Sequence, residues 1–326
     1  IRLNTDSQKL EFFAQDRWYE MATEVASPIA GRGIWGGGLQ GPYADPAPYS
    51  TNIIDMVTIQ TKGDSVDFGD TTMGVTQSAG CGDRTRGLFM GGYFPVNNSI
   101  NFITFATTGN SQDFGDTAET VGKRGGFNNS TRGVVGGGGQ DAPSPYGTTN
   151  VTEFVTIQTT GNAQDFGDLT VARDRTAGAA SPTRSLFFGG DTGSFTDVID
   201  FITIPTTGNA QDFGDLRNAM IMPSGVSSST RALIMGGANP SALNSIDFVT
   251  ITTLGDVRDF GDLREAVSNS QSASDCVRGL RLGGGNGNTN VIDYINIATT
   301  GDAVDYGDLS EAKGEGAGCS NAHGGL

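Results

Sequence analysis

The chain has 326 residues, enough for one large all-β domain or two ordinary ones. A formal charge of −16 argues against nucleic acid and against anionic membrane surfaces as partners, and no apolar run approaches the ~18–20 residues that span a bilayer. Fifty glycines against 36 % hydrophobic residues would suit a disordered chain, but the apolar residues fall in short, evenly spaced runs, so glycine reads as punctuation between strands.

Residues 1–26 stand outside the pattern that fills the rest. The segments around Leu3, Lys9–Phe13 and Arg17–Glu20 are separated by Thr5-Asp6-Ser7 and Gln15-Asp16, which predicts a small three-stranded meander acting as a connector. The chain opens Ile1-Arg2-Leu3 rather than with Met and carries no signal-peptide pattern, so its start assigns no compartment.

From residue 27 onward the chain repeats. Asp-Phe-Gly-Asp begins at Asp67, Asp113, Asp165, Asp212 and Asp259, and a sixth copy reads Asp305-Tyr306-Gly307-Asp308. The spacings are 46, 52, 47, 47 and 46, the long one absorbing the Gly- and Pro-rich insertion 136–145. Each repeat divides into four segments. The first is of the Leu216-Arg217-Asn218-Ala219 type. The second begins at an Arg (Arg32, Arg86, Arg132, Arg184, Arg231 or Arg278) and ends in Gly-Gly. The third is of the Ile246-Asp247-Phe248-Val249-Thr250-Ile251 type, and the fourth is the Asp-Phe-Gly-Asp run, entered through Thr-Gly-Asn or Leu-Gly-Asp.

Short runs rich in Ile, Val, Phe and Thr between Gly, Asn and Asp are strands. In the third segment Ile246 and Phe248 point one way while Val249 and Ile251 point the other. A strand apolar on both faces must be covered on both, which radially stacked four-stranded blades achieve. The expectation is an all-β, six-bladed β-propeller over 27–326. The first-segment type recurs after the last repeat as Leu309-Ser310-Glu311-Ala312, whereas its counterpart before the first Gly-Gly, Glu20–Glu24, is degenerate. Residues about 309–320 are therefore expected to complete the blade begun by Arg32-Gly33-Ile34-Trp35 and to remove the open edges. The amino-terminal segment supplying that strand is the alternative.

A period of roughly 47 with a double glycine after an apolar strand resembles the kelch repeat, a β-propeller family, over about residues 30–320. The family's Tyr and Trp positions are replaced here by the Phe and Asp of Asp-Phe-Gly-Asp. The leader, with Arg2-Leu3-Asn4-Thr5, a Lys9-Leu10-Glu11 strand and a Trp18 strand, resembles a short motif of bacteriophage tail-fibre and other virion proteins. The Asp-Phe-Gly-Asp repeats and the tail Ser320–Leu326 are similar to virion structural proteins of phages. The resemblance implies an extracellular particle-surface protein whose partners are other virion proteins or a host-surface glycan or receptor. A homotrimer follows only by analogy to fibres.

The chemistry on offer is sparse. Asp-Phe-Gly occurs six times with no His-Arg-Asp loop and no phosphate loop, so the kinase reading fails. Cys81, Cys276 and Cys319 lack metal-ligand spacing, and His323 is the lone histidine, so neither a zinc site nor a His-based catalytic pair is available. No cofactor and no enzymatic activity are expected. The repeated aspartates could take Ca²⁺, which wants ~6–8 oxygens, but the favoured reading is structural, with one Asp capping a turn and the other pairing with the repeated Arg. Variation concentrates in the loops after Gly-Gly, which carry Tyr43, Tyr49, Tyr93, Phe94, Tyr146 and Phe195 on one face. These aromatics are the candidate binding residues for a glycan or protein, and a purely structural capsid decoration or adaptor is the alternative. A cellular kelch-type scaffold is a third reading.

Overall fold

The computed structural model describes residues 31–41, 50–140, 147–285 and 287–326 in full, and three earlier strands by their backbone alone. Those three, Arg2–Asn4, Lys9–Ala14 and Arg17–Glu20, pair antiparallel in one sheet, Leu3 opposite Leu10 and Phe12 opposite Tyr19. The chain divides after residue 30 into this small unit and one large unit.

The large unit is a six-bladed β-propeller, each blade a four-stranded antiparallel sheet. Blade 5 is representative: Ser224–Ser227 lies innermost, followed by Arg231–Met235, Leu243–Thr250 and, at the rim, Arg258–Val267. The innermost strands neighbour one another in a closed cycle, Ala317–Ser320, Ala79–Gly82, Gly125–Asn128, Ala177–Ala180, Ser224–Ser227, Gln271–Ser274 and back to the first. Blade 1 is assembled from both ends of the unit. Ala317–Ser320 pairs with Arg32–Gly36, Cys319 opposite Ile34, and the sheet continues through Ile53–Thr58 to Val66–Asp70.

Burial explains why the blades stack. Ile246 and Phe248 join an apolar cluster with Ile295 and Ile297 of blade 6, while Val249 and Ile251 join Phe201 and Phe213 of blade 4. Six such clusters each lie between two consecutive blades, and the one holding Trp35, Val57, Leu280 and Tyr306 closes the seam between blade 6 and blade 1. Burying one such Ile or Phe side chain is worth about 1.5–3 kcal/mol, and a lone blade would expose both of its faces.

A hydrogen-bonded clasp also links the rims. The outermost strand of each blade accepts two backbone bonds from the next blade's Gly-Asn or Gly-Asp turn. Gly109 N–H donates to Phe68 O (2.7 Å) and Ser111 N–H to Asp70 O (2.8 Å), while Asn110 Oδ1 accepts from Asp70 N–H (3.1 Å). The same three bonds recur at every junction, including the seam, where Gly63, Ser65 and Asp64 face Tyr306 and Asp308. The glycine of Asp-Phe-Gly-Asp serves this contact: Gly69 has φ +149°, and a Cβ there would stand 2.5 Å from the Gly109 carbonyl.

Two details depart from the sequence reading. Leu216–Ala219 is not the innermost strand but part of the connection leading to it, and Leu309–Ala312 occupies the equivalent connection before Ala317–Ser320. The repeated arginines do not pair with the aspartates of Asp-Phe-Gly-Asp. Each stretches to a backbone carbonyl of the next blade: Arg86 to Ile157 (3.1 Å), Arg132 to Ile204 (2.8 Å), Arg184 to Ile251 (2.9 Å), Arg231 to Ile297 (3.0 Å), Arg278 to Ile59 (2.9 Å), and Arg32 to Phe105. The guanidiniums of Arg86, Arg132, Arg184, Arg231 and Arg278 also lie 4.4–4.8 Å over the third-strand aromatic of their own blade, from Phe102 to Tyr294. The carbonyl wins because it is fixed at the neighbouring blade's turn, whereas Asp67, Asp113, Asp165, Asp212, Asp259 and Asp305 are all solvent-exposed.

Candidate binding face and axial channel

Strand direction sorts the connections onto two faces. The loops after Gly-Gly and the connections entering each innermost strand emerge at one end of the blades, here the Gly-Gly face. The repeated arginines and the turns before Asp-Phe-Gly-Asp emerge at the other, the arginine face.

On the Gly-Gly face, Tyr93 and Phe94 sit together at the tip of the hairpin formed by Arg86–Tyr93 and Val96–Thr104. Their rings meet edge to face with centroids 4.2 Å apart. Tyr93 is only 8 % exposed and Phe94 is 48 % exposed, so Tyr93 supports and Phe94 projects. Lys123 Nζ lies 4.0 Å from the centre of the Tyr93 ring. Phe195 is half-buried in the blade 4 turn, whose Asp191 binds Arg175 at 3.0 Å. Asp174 joins the same network, 3.8 Å from Lys123 Nζ and 3.6 Å from Arg175 Nη1. Tyr43, Tyr49 and Tyr146 lie outside the described residues, as do residues 21–24 of the degenerate first segment.

Lys123 and Arg175 also belong to a collar around the channel mouth that the sequence did not announce. Gln77, Lys123, Arg175, Met222, Asn269 and Glu315 each precede an innermost strand, and each has φ between 52° and 62°. Their backbones bond head to tail in a closed cycle: Gln77 N–H to Glu315 O (2.5 Å), then Lys123 to Gln77 (3.1 Å), Arg175 to Lys123 (2.8 Å), Met222 to Arg175 (2.9 Å), Asn269 to Met222 (3.1 Å) and Glu315 to Asn269 (3.0 Å). Left-handed backbone at six non-glycine residues costs of the order of 1–3 kcal/mol each, and the cyclic bonds hold it. Below the collar runs an axial channel enclosing about 140 Å³, lined by the innermost strands, with His323 among its lining residues. Its walls are mostly Gly, Ala and Ser because the strands converge there: a Cβ on Gly126 would stand 2.8 Å from the Gly80 carbonyl.

The other unannounced device is a buried charge in the third strand. Asp55, Glu153, Asp200, Asp247 and Asp293 are at most 2 % exposed. Their cations come from the connections and inner strands: Lys313 (2.7 Å), Arg124 (2.5 Å), Arg173 (3.0 Å), Arg217 (2.5 Å) and Arg281 (2.5 Å), respectively. Burial drives Asp247 upward against the pull of Arg217, and lowers Arg173 against the pull of Asp200. Arg217 and Arg264 each bridge a buried acid and the exposed Asp of the adjoining rim strand, Asp259 and Asp305. The legible signal was a lone acid inside an otherwise apolar strand. Burial likewise raises the Cys81 thiol to about 12 and Cys319 further, which makes both poor nucleophiles. Among the described residues, no three His, Cys, Asp or Glu side chains converge as a metal site would require.

No protein-family model matches the chain, and no curated protein sequence matches it.

Proposed function

We propose that the propeller is a non-enzymatic recognition module of a phage particle, of the virion-surface or tail-fibre type, with a divergent kelch-like repeat. It engages a host-surface glycan or protein, or a neighbouring virion protein, through the Gly-Gly face. The observation that carries the reading is Phe94, a large aromatic held out into solvent on a hairpin backed by Tyr93 and Lys123. A projecting aromatic suits the apolar face of a sugar, or a protein hot spot. The leader and repeat motifs support the particle assignment by resemblance alone.

The test is binding of the purified chain to bacterial cells and to a panel of bacterial surface glycans. Phe94→Ala is expected to weaken whichever binding is found by roughly tenfold or more, as hot-spot aromatics do. Binding that survives both Phe94→Ala and the pair Tyr43→Ala with Tyr49→Ala sinks the reading. A structural decoration or adaptor subunit is the second reading. Val66, Leu254 and Val304, 47–62 % exposed and away from the Gly-Gly face, favour it as contact points for a neighbouring subunit.

A further inference from the structure

At the arginine-face end of the channel, the last residues of the chain turn back across the axis. Asn321 exchanges two bonds with Arg32 of blade 1, accepting from its N–H through Oδ1 (2.7 Å) and donating to its carbonyl (3.3 Å). Cys276 Sγ of blade 6 donates to the Ala322 carbonyl (3.1 Å), and Gly324 N–H donates to Ser227 O of blade 5 (3.1 Å). His323 turns toward blades 2 and 3. Its Nδ1 accepts from Gly325 N–H (3.1 Å), which leaves the proton on Nε2, directed at the Gly82 carbonyl 2.7 Å away. The Asn128 amide packs on the same nitrogen at 2.9 Å.

Five blades therefore grip one short segment, mostly through its backbone and a single imidazole. Its glycines are part of the fit. A Cβ on Gly325 would overlap the Asn128 carbonyl, and one on Gly324 would overlap the Ser228 carbonyl. These are the marks of a peptide seat: a turned backbone satisfied by fixed groups, one half-buried side chain held by matched partners, and no room for larger residues at its glycines.

We propose that the arginine-face end of the channel is a binding site for a short peptide carrying His-Gly-Gly, filled in cis by residues 321–326 and able to take the same segment in trans. The seat lies at the opposite end of the blades from Phe94, so it stands or falls separately from the recognition role of the Gly-Gly face.

The test uses the full chain. His323 is its only histidine, so the imidazole NMR signals report this seat alone. In the unaltered protein the ring is expected away from free-peptide shifts. In Gly325→Val, where the added side chain cannot be seated, it is expected at free-peptide shifts. The synthetic peptide Asn-Ala-His-Gly-Gly-Leu is then expected to bind Gly325→Val saturably and the unaltered, already filled protein roughly tenfold more weakly or worse. The same peptide with Ala in place of His is expected to lose binding by a similar factor. Free-peptide shifts in the unaltered protein, no uptake of peptide by Gly325→Val at millimolar concentration, or equal binding of the Ala peptide would each overturn the proposal. Should Gly325→Val fail to fold, full-length His323→Ala removes the anchor without adding bulk and is read with the same peptides by the same criteria.

Discussion

The Tyr306 hydroxyl donates across the seam between the last and first blades to the Thr58 carbonyl, 2.6 Å away, with the Thr61 carbonyl at 2.7 Å. The other five blades have Phe at this position, and in four of them it makes the same edge-to-face contact with the third-strand aromatic that Tyr306 makes with Tyr294. The change from Phe to Tyr thus adds a bond only where the ring closes, and burial holds the phenol protonated, its pKa raised to about 12. Tyr306→Phe is expected to cost about 1 kcal/mol in chemical denaturation. An unchanged midpoint would show that the seam does not use this bond.

The rim clasp separates strain from crowding. Gly69 and Gly109 share nearly the same backbone, φ +149° and +147°, but a Cβ on Gly69 meets the Gly109 carbonyl while one on Gly109 meets nothing within 4 Å. Gly109→Ala is expected to cost of the order of 1–3 kcal/mol from strain alone. Gly69→Ala should cost clearly more, because the next blade must also move. Equal losses in urea unfolding would contradict the packing described for the rim.

Arg173 and Asp200 form a fully buried pair at 3.0 Å, and Arg173 Nε and Nη1 have no hydrogen-bond partner among the described residues. Asp200→Ala strands the guanidinium and is expected to lose about 3–5 kcal/mol. Asp200→Leu combined with Arg173→Met should recover most of that loss, since a buried pair repays little beyond its own desolvation. A double variant as unstable as the single would mean that the pair stabilises blade 4 in its own right.

The blades were legible because Asp-Phe-Gly-Asp and the two-faced Ile-Asp-Phe-Val-Thr-Ile strand repeat at a fixed period, and only a ring covers both faces of every copy. The innermost strands were not. Ser224–Ser227 and Ala177–Ala180 are made of Ser, Gly, Val and Ala, chosen by crowding at the axis rather than by hydrophobicity, so periodicity passed over them in favour of the apolar Leu216 segment. The arginine partners were missed for a related reason. A guanidinium seeking a fixed carbonyl leaves no mark at the accepting residue, whereas an aspartate in the same repeat invites pairing on paper. The collar was hidden because Gln77, Lys123, Arg175, Met222, Asn269 and Glu315 share a backbone conformation and no side-chain chemistry.

Burial pushes the His323 imidazole below its ordinary value of 6.5, against the opposing pull of the Gly82 carbonyl bond and Asp83. The fold therefore holds the neutral ring. Its contribution is complete above the unfolded value and is lost as pH falls through the ordinary range toward the folded value. Stability is expected to decline as pH falls below the ordinary imidazole value of 6.5 in the unaltered protein and to decline less in His323→Gln. Parallel pH profiles for the two would contradict the buried neutral ring.

Amide hydrogen exchange at the six rim junctions reads the ring itself. Gly63 and Ser65 donate to Tyr306 and Asp308 across the seam, as Gly109 and Ser111 donate to Phe68 and Asp70 within the series. A closed propeller requires the Gly63 and Ser65 amides to be protected to the same degree as their counterparts at the other five junctions. Free exchange at those two positions, with protection kept at the rest, would mean that the blades stack in an open row and that blade 6 never meets blade 1.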